Sequence, residues 1–327
     1  MRRLVRIVSG ATGILAALLS AAALACDGRN VLADRPATYL AKLDAAANEV
    51  PYPEGRYFEV QRGGAKSVLF GTMHLPDPEV ARVPPALLPR LLGARMVFVE
   101  ITADAEAHAR RMFLGRPSLL RNENGRRISD MASEAEMAAL DDVLDPHGLE
   151  RAVFDRLEPW FLNLLAAVPP CGGAETVVLD RRIEHLARAG GVPVQGLEAP
   201  EDVLFALKAG TYEEQLETLL MGLPMVESAA DSLAVTRKLY LEGDIFKIWV
   251  FGQMEAERVH EEAAEAVFAR TYEHLVTERN ERWMERLLPA LREGGAVVAV
   301  GALHLGGPSG LLPMLEAEGF EVRPLPE

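Results

Sequence analysis

The chain has 327 residues and a formal net charge of −14, with 49% apolar and 25% charged residues. A chain of this size can bury a large core, as one large domain or two small ones. Because it is acidic and has no basic run, it is poorly suited to bind nucleic acid or an anionic membrane surface, and we expect no nucleic-acid partner.

The N-terminus has the pattern of a secretory signal peptide. Three arginines precede an apolar stretch over residues 7–24, and Ala23-Leu24-Ala25 fits a small-residue cleavage site. We expect cleavage after Ala25 and an exported mature chain, 26–327, that is periplasmic or secreted. An uncleaved anchor helix and lipid attachment at Cys26 are the alternatives. No later apolar stretch approaches the ~20 residues of a spanning helix, so the mature chain should have no transmembrane helix.

The first part of the mature chain predicts the order β-β-α-β. Tyr57–Arg62 and Ser67–Phe70 flank Gly63-Gly64, which is typical of a hairpin. A helix is expected within 84–93, between a proline-rich entry and a glycine stop. Met96–Ile101 is a short continuous apolar run, the pattern of a buried strand.

The middle of the chain is predicted to be mostly helical. Ser133 with Glu136, and Thr211 with Glu214, have the spacing of capping boxes. A strand at Val192–Leu197 interrupts the helices. Asp180 and Glu184 lie one turn apart on a predicted helix and are expected on its exposed face.

The chain closes with a predicted strand, Ala296–Val300, then a helix and a last strand. These patterns indicate an α/β fold, a single domain over 26–327. Its mixed central sheet is built from N- and C-terminal β-α-β units, with a large helical insert at roughly 104–291. The terminal strands should meet in one sheet, at whose carboxyl edge ligands tend to bind.

One motif occurs twice, near the start and near the end. An apolar run is followed by Gly-x-x-His-Leu-x-x-Pro at Gly71–Pro78 and again at Gly301–Pro308. His74 and His304 therefore have matching local settings just past a strand. We expect both imidazoles in one site at the edge of the sheet.

Glu100 ends the strand between the two motifs. Its carboxylate is either a functional group at the sheet edge or a cap for a helix from Thr102 onwards. With His74 and His304 it would form a set of ligands suited to a divalent ion such as Zn, Mn or Co. Such an ion would activate water, whereas without metal the same residues could act as general acid and base.

Two weaker candidates and the cysteines complete the set. Glu198 follows the strand at Val192–Leu197, and Arg279-Asn280 lies in a charged helix where a solvated face is the default. Cys26 and Cys171 are the only cysteines, and export favours a disulfide between them over two unrelated thiols.

These residues, in this order, resemble the signatures of the TraB/GumN (TraB/PrgY/TIKI) family. Those signatures are Gly71-Thr72-Met73-His74, Glu100, Gly196-Leu197-Glu198, Arg279-Asn280 before Trp283, and Gly301-Ala302-Leu303-His304 with the glycines after it. The likeness runs from about Glu54 to the end of the chain, and the export signal and cysteines resemble its bacterial GumN-like branch.

The resemblance implies a fold related to erythromycin esterases and to a haem-binding lipoprotein. It also implies a metal-dependent peptidase using the two Gly-x-x-His motifs and a glutamate, here His74, His304 and Glu100. Glu198, Arg279, Asn280, Gly71 and Gly301 would then orient these groups or contact substrate.

Three functional hypotheses follow. The first is an exported metal-dependent hydrolase, such as a peptidase, acting on a peptide or a small molecule. The second is a binding protein for haem or a metal at the same pocket. The third is an envelope factor, for example in polysaccharide export, that works through its helical insert. The sequence leaves the oligomeric state open.

Overall fold

The structure is a computed structural model that describes residues 28–75, 77–122, 124–166, 177–227 and 229–327. The expected signal peptide and both cysteines, Cys26 and Cys171, lie outside the described residues. Among the described residues, no helix combines the length and apolar character needed to cross a membrane.

One mixed sheet of six strands forms the centre of the fold, in the order β4-β3-β5-β2-β1-β6. The strands are β1 (Tyr57–Arg62), β2 (Ala65–Thr72), β3 (Met96–Val99), β4 (Val194–Gly196), β5 (Ala296–Gly301) and β6 (Glu321–Pro324). Strands β4, β3, β5 and β2 are parallel, and β1 runs antiparallel to both β2 and β6. The predicted hairpin is confirmed, with Gly63 and Gly64 supplying the positive φ angles of its turn.

Helices surround the sheet and fill the chain between β3 and β5. They are α1 (Ala37–Ala47), α2 (Leu87–Leu92), α3 (Ala103–Gly115), α4 (Glu134–Leu144), α5 (Arg151–Phe154), α6 (Pro159–Ala166), α7 (Leu179–Ala189), α8 (Pro200–Leu207), α9 (Tyr212–Glu227), α10 (Ala229–Glu242), α11 (Ile245–Tyr272), α12 (Glu278–Glu293) and α13 (Leu311–Ala317). A π-helical turn, Glu273–Thr277, joins α11 to α12. Both predicted capping boxes, at Ser133 and at Thr211, are confirmed.

The core follows the two-residue period of the strands. Phe70 and Val99 face a layer that includes α2 and α7, whereas Leu69 and Phe98 face α12 and α13. The helices α4, α5, α6 and α9 pack around a cluster of their own. The predicted α/β fold with a helical insert is therefore confirmed, and both faces of the sheet are covered, as parallel strands require.

One expectation about the surface is wrong. Asp180 and Glu184 are each only 2% exposed, because α7 turns them toward the sheet beside Leu179, Ile183 and Ala187. Glu184 accepts hydrogen bonds from the amide of Ala103 and satisfies the start of α3. A buried carboxylate needs polar or charged neighbours. Those of Asp180 are Thr72 and His74, which belong to the site described next.

Candidate active site

The two Gly-x-x-His motifs lie side by side, as predicted. Strands β2 and β5 are parallel neighbours, and Thr72 lies opposite Gly301 in their register. A Cβ at Gly71 would come within 2.8 Å of the Cβ of Ala302. Glycine at 71 therefore allows the turn after β5 to approach the end of β2, and its role is packing.

The imidazole of His304 is buried and bonded at both nitrogens. Nδ1 lies 2.8 Å from Oδ1 of Asn280, whose Nδ2 donates to the carbonyl oxygens of His304 and Ser309. Oδ1 must then accept, so Nδ1 of His304 carries the hydrogen and Nε2 holds a lone pair. Nε2 in turn lies 3.2 Å from Nη1 of Arg279. The ring also packs on Trp283, with centroids 4.4 Å apart.

His304 is neutral at ordinary pH. Burial lowers its pKa to about 3, and the positive charges of Arg279 and His74 act in the same direction against the opposing effect of Glu100. A neutral ring agrees with the hydrogen bonds, because a protonated Nε2 would face the guanidinium of Arg279 with like charge.

Glu100 is a buried carboxylate directly after β3. Its Oε1 accepts a hydrogen bond of 2.6 Å from the amide of Gly301, and its Oε2 accepts one of 2.7 Å from Nη2 of Arg279. Burial alone would raise the pKa of Glu100, but His304, Arg279, His74 and the Gly301 amide together lower it to about 2. Glu100 therefore stays ionised.

The alternative role of Glu100 as a helix cap is wrong. The first amides of α3 are bound by other side chains: Ala103 donates to Glu184, and Ala105 donates to Oγ1 of Thr102. The carboxylate of Glu100 points across the sheet edge toward β5, where the amide of Gly301 donates to it.

Arg279 joins the acids into one network. Its Nε and Nη2 donate to the two oxygens of Glu198 at 2.7 and 2.8 Å, and Nη2 also donates to Glu100. Bidentate guanidinium–carboxylate pairs of this kind are strong and geometrically specific. Arg279 stands in the first turn of α12, directly after the π-helical turn, an irregularity often found at functional sites.

His74 is the exposed member of the site. Its side chain is 56% exposed, and its Nδ1 lies 3.2 Å from Oδ2 of Asp180. The other oxygen of Asp180 accepts a 2.6 Å hydrogen bond from Oγ1 of Thr72. Burial raises the pKa of Asp180, and the charge of His74 and the Thr72 hydroxyl oppose that effect. No described residue bonds Nε2 of His74, which faces outward.

The structure thus brings together most of the predicted residues. Five of them form a single bonded network with His304 at its centre: Glu100, Glu198, Arg279, Asn280 and Gly301. His74 lies close enough for its charge to lower the pKa values of both Glu100 and His304. Gly71 makes no side-chain contact with the network and acts by its small size.

Sequence reasoning missed Asp180, the partner of His74. A signal was present, because Asp180 and Glu184 share a helical stripe with Leu179, Ile183 and Ala187. Two acids on the apolar stripe of a helix indicate buried, partnered carboxylates.

The side chains as arranged do not fit a divalent ion. In the described part of the chain, no group of three or more His, Cys, Asp or Glu residues is placed to hold a metal. The guanidinium of Arg279 lies among the oxygens of Glu100 and Glu198 and beside Nε2 of His304, where a cation would need to bind. The arrangement is an exposed histidine next to a buried, saturated ionic network.

Comparison with known protein families covers nearly the whole of the fold described above. Neither the curated proteins nor the solved structures include a match to this chain. The TraB/PrgY/gumN family model matches residues 57–324, from β1 to the last strand. The chain therefore belongs to the TraB/PrgY/gumN family.

Proposed function

We propose that this protein is a hydrolase of acyl bonds, in peptides or esters, with His74 as the general base. The observation that carries the proposal is the pairing of an exposed imidazole with a buried carboxylate. Oδ2 of Asp180 lies 3.2 Å from Nδ1 of His74 and makes no hydrogen bond with any described residue, so it stands ready to stabilise the ring when Nε2 accepts a proton from water. A histidine oriented by a buried carboxylate is a common arrangement for proton transfer in hydrolysis.

The proposed reaction needs no group besides water and the substrate. Nε2 of His74 takes a proton as the water oxygen bonds to the substrate carbonyl carbon, and the carbonyl electrons move onto its oxygen. When the tetrahedral intermediate collapses, the bond to the leaving nitrogen or oxygen breaks. The protonated imidazole then returns its proton to that leaving atom.

Arg279 is the group that would stabilise the negative charge of the intermediate. Its contacts to the carboxylates are 2.7–2.8 Å long, whereas Nη1 makes longer contacts of 3.2 Å to His304 and 3.3 Å to the Leu275 carbonyl. Nη1 is therefore the donor that can exchange its present partners for a developing oxyanion at least cost. Glu100 and Glu198 anchor the rest of the guanidinium.

The protonation states favour acyl bonds over glycosidic bonds. Glycoside hydrolysis uses a carboxylic acid to protonate the leaving oxygen. Glu100 is ionised with a pKa of about 2, and Glu198 is tied at both oxygens to Arg279. Asp180 is buried beneath His74 and cannot reach a leaving group directly.

The proposal includes the setting of the enzyme. The signal-like N-terminus supports export to the periplasm or the medium. The haem-binding alternative draws on the same histidines, but both nitrogens of His304 are engaged, so only His74 offers a free ring nitrogen. Nothing in the described residues favours that alternative over hydrolysis.

The test is cleavage of a fluorogenic peptide library and a set of chromogenic esters by the purified chain. His74→Gln should lower kcat/KM about 10²–10⁴-fold, the usual contribution of a general base. His108→Gln, which changes an exposed histidine on α3, is the matched control and should stay within twofold. Loss of less than about threefold in His74→Gln, or equal losses in both variants, would refute the proposal.

A further inference from the structure

A groove of about 770 Å³ opens next to the candidate active site. Its walls come from the segment after β2, from α7 and from the start of α3. These are the segments that follow His74, carry Asp180 and follow Glu100. The groove and the candidate site therefore share the same three segments, and Arg181 of the groove donates to the carbonyl of Ile101, next to Glu100.

The groove is basic, although the whole chain has a net charge of −14. Four arginines line it against two acids, and one histidine joins them: Arg82, Arg181, Arg182 and Arg188, with Glu184 and Asp104, and His185. A local excess of positive charge on an acidic protein attracts anionic groups to that part of the surface.

Two of the four arginines are paired with an acid, and the other two have no acidic partner among the described residues. Arg181 and Arg188 both pair with the buried Glu184. The guanidinium of Arg82 has no hydrogen bond or ion pair with any described residue, and that of Arg182 makes one described bond, from Nε to the carbonyl of Val177. The terminal nitrogens of Arg82 and Arg182 thus face the groove without a carboxylate.

We propose that this groove binds acidic side chains of a peptide substrate and selects acidic peptides over neutral ones. The inference rests on the proposed hydrolase function at His74. Guanidinium groups bind carboxylates through paired, charge-assisted hydrogen bonds, and Arg82 and Arg182 supply the free donors. The ionised Glu100 near His74 repels further negative charge. The acidic side chains of a bound peptide would therefore lie in the groove and not beside this carboxylate.

The experiment measures binding of two matched hexapeptides to the full chain by titration calorimetry. One peptide contains three glutamates, and the other has glutamine at the same positions. We expect the acidic peptide to bind at least tenfold more tightly. Higher salt should reduce this difference, since the contacts are ionic.

Variants then locate the binding to the groove. R82S removes a side chain without a described partner, so it should leave the fold unchanged while it weakens acidic-peptide binding about threefold or more. R82S with R182Q should remove most of the preference. R111E, at an exposed arginine of α3 outside the groove, is the control and should bind within twofold of the parent.

The outcomes separate this inference from the proposed function. Equal binding of the two peptides, an equal loss in R111E, or tighter binding of a uronate oligosaccharide than of the acidic peptide would overturn the groove assignment. His74→Gln should keep the preference in binding while losing cleavage. Charge-selective binding by a parent chain that cleaves neither peptide would support the groove and refute the hydrolase proposal alone.

Discussion

Nδ1 of His74 lies 3.2 Å from Oδ2 of Asp180, and the two side chains differ sharply in exposure, at 56% and 3%. The carboxylate is buried on the inner face of α7, and the imidazole is exposed to solvent. This pair places an accessible ring beside a buried acid.

The first prediction concerns Asp180→Asn. An amide at this position can no longer stabilise a protonated His74, so kcat should fall roughly 10²–10⁴-fold on any substrate that the parent cleaves. Steady-state kinetics on that substrate is the measurement. Asp155→Asn changes another buried aspartate, which follows α5 in the helical insert, and should leave kcat within twofold. Similar kcat values for parent and Asp180→Asn would contradict the role of this pair.

The second prediction concerns stability below neutral pH. The folded-state pKa of His304 is about 3, below the ordinary 6.5, so between these values the unfolded chain binds more protons. Stability from this group is complete above pH 6.5 and is lost as the pH falls toward 3, by up to about 1.4 kcal/mol per pH unit. Glu100 adds the same trend from pH 4.5 down to about 2. The raised pKa of Asp180 acts in the opposite direction from pH 3.8 upward.

His304→Gln tests this interpretation, because glutamine does not titrate. The slope of Tm against pH between 6.5 and 4.5 should be smaller in His304→Gln than in the parent, whatever its absolute stability. Thermal unfolding followed by circular dichroism across this range gives the slope. Parallel curves would show that His304 is not the group responsible.

The third prediction is that Arg279 and a divalent ion compete for the same acids. Arg279→Gln leaves Glu100 and Glu198 buried without a counter-charge, so stability should fall by about 3–5 kcal/mol. Zn²⁺ or Mn²⁺ should then raise the Tm of this variant by more than that of the parent, since binding to the folded state stabilises it.

An arginine on the same helix serves as the control. Arg292 makes an exposed pair with Glu318, and Arg292→Gln should cost no more than about 1 kcal/mol and gain nothing from metal. If metal stabilises the parent as much as it stabilises Arg279→Gln, then the ion and the guanidinium do not occupy the same place.

The fourth prediction concerns the glycines of the two motifs. A Cβ at Gly71 would lie 2.8 Å from Ala302, and one at Gly301 would lie 3.1 Å from Oε1 of Glu100. Gly71→Ala should cost about 1–3 kcal/mol through overpacking, and Gly301→Ala should also disturb Glu100. Gly222→Ala, in an uncrowded position of helix α9, should be neutral or stabilising by up to about 1 kcal/mol. Chemical denaturation compares the three, and equal effects would contradict the crowding.

The fifth prediction concerns the mature chain. We expect the signal peptide to be cleaved after Ala25 during export, and Cys26 and Cys171 to be joined by a disulfide in the mature chain. Alkylation of the exported protein without reduction, followed by mass spectrometry, should detect an N-terminus at Cys26 and no alkylated thiol. Two modified cysteines, or a lipid mass on Cys26, would contradict one or both expectations.

Much of the fold and part of the site could be predicted because their signals are local. Glycine pairs, capping boxes and apolar runs each lie within a few residues, and β2, β5 and both capping boxes were placed correctly on that basis. The repeated motif also predicted that the terminal strands meet in one sheet, whereas their direct parallel pairing, β2 with β5, came from the structure. The role of Asp180 did not follow, because the exposure of one face of α7 depends on what packs against it.

The sequence by itself determined that two Gly-x-x-His motifs close the ends of buried strands, since strand ends and glycine turns are encoded by neighbouring residues. Only the tertiary structure decided how the two histidines differ. Their local sequences are alike, but Arg279 and Asn280 engage both nitrogens of His304, whereas His74 is 56% exposed and has only the carboxylate of Asp180 beside one nitrogen, at 3.2 Å. Those contacts join residues from separate elements, and the protonation state of each ring depends on burial and charge that arise only when these elements pack together.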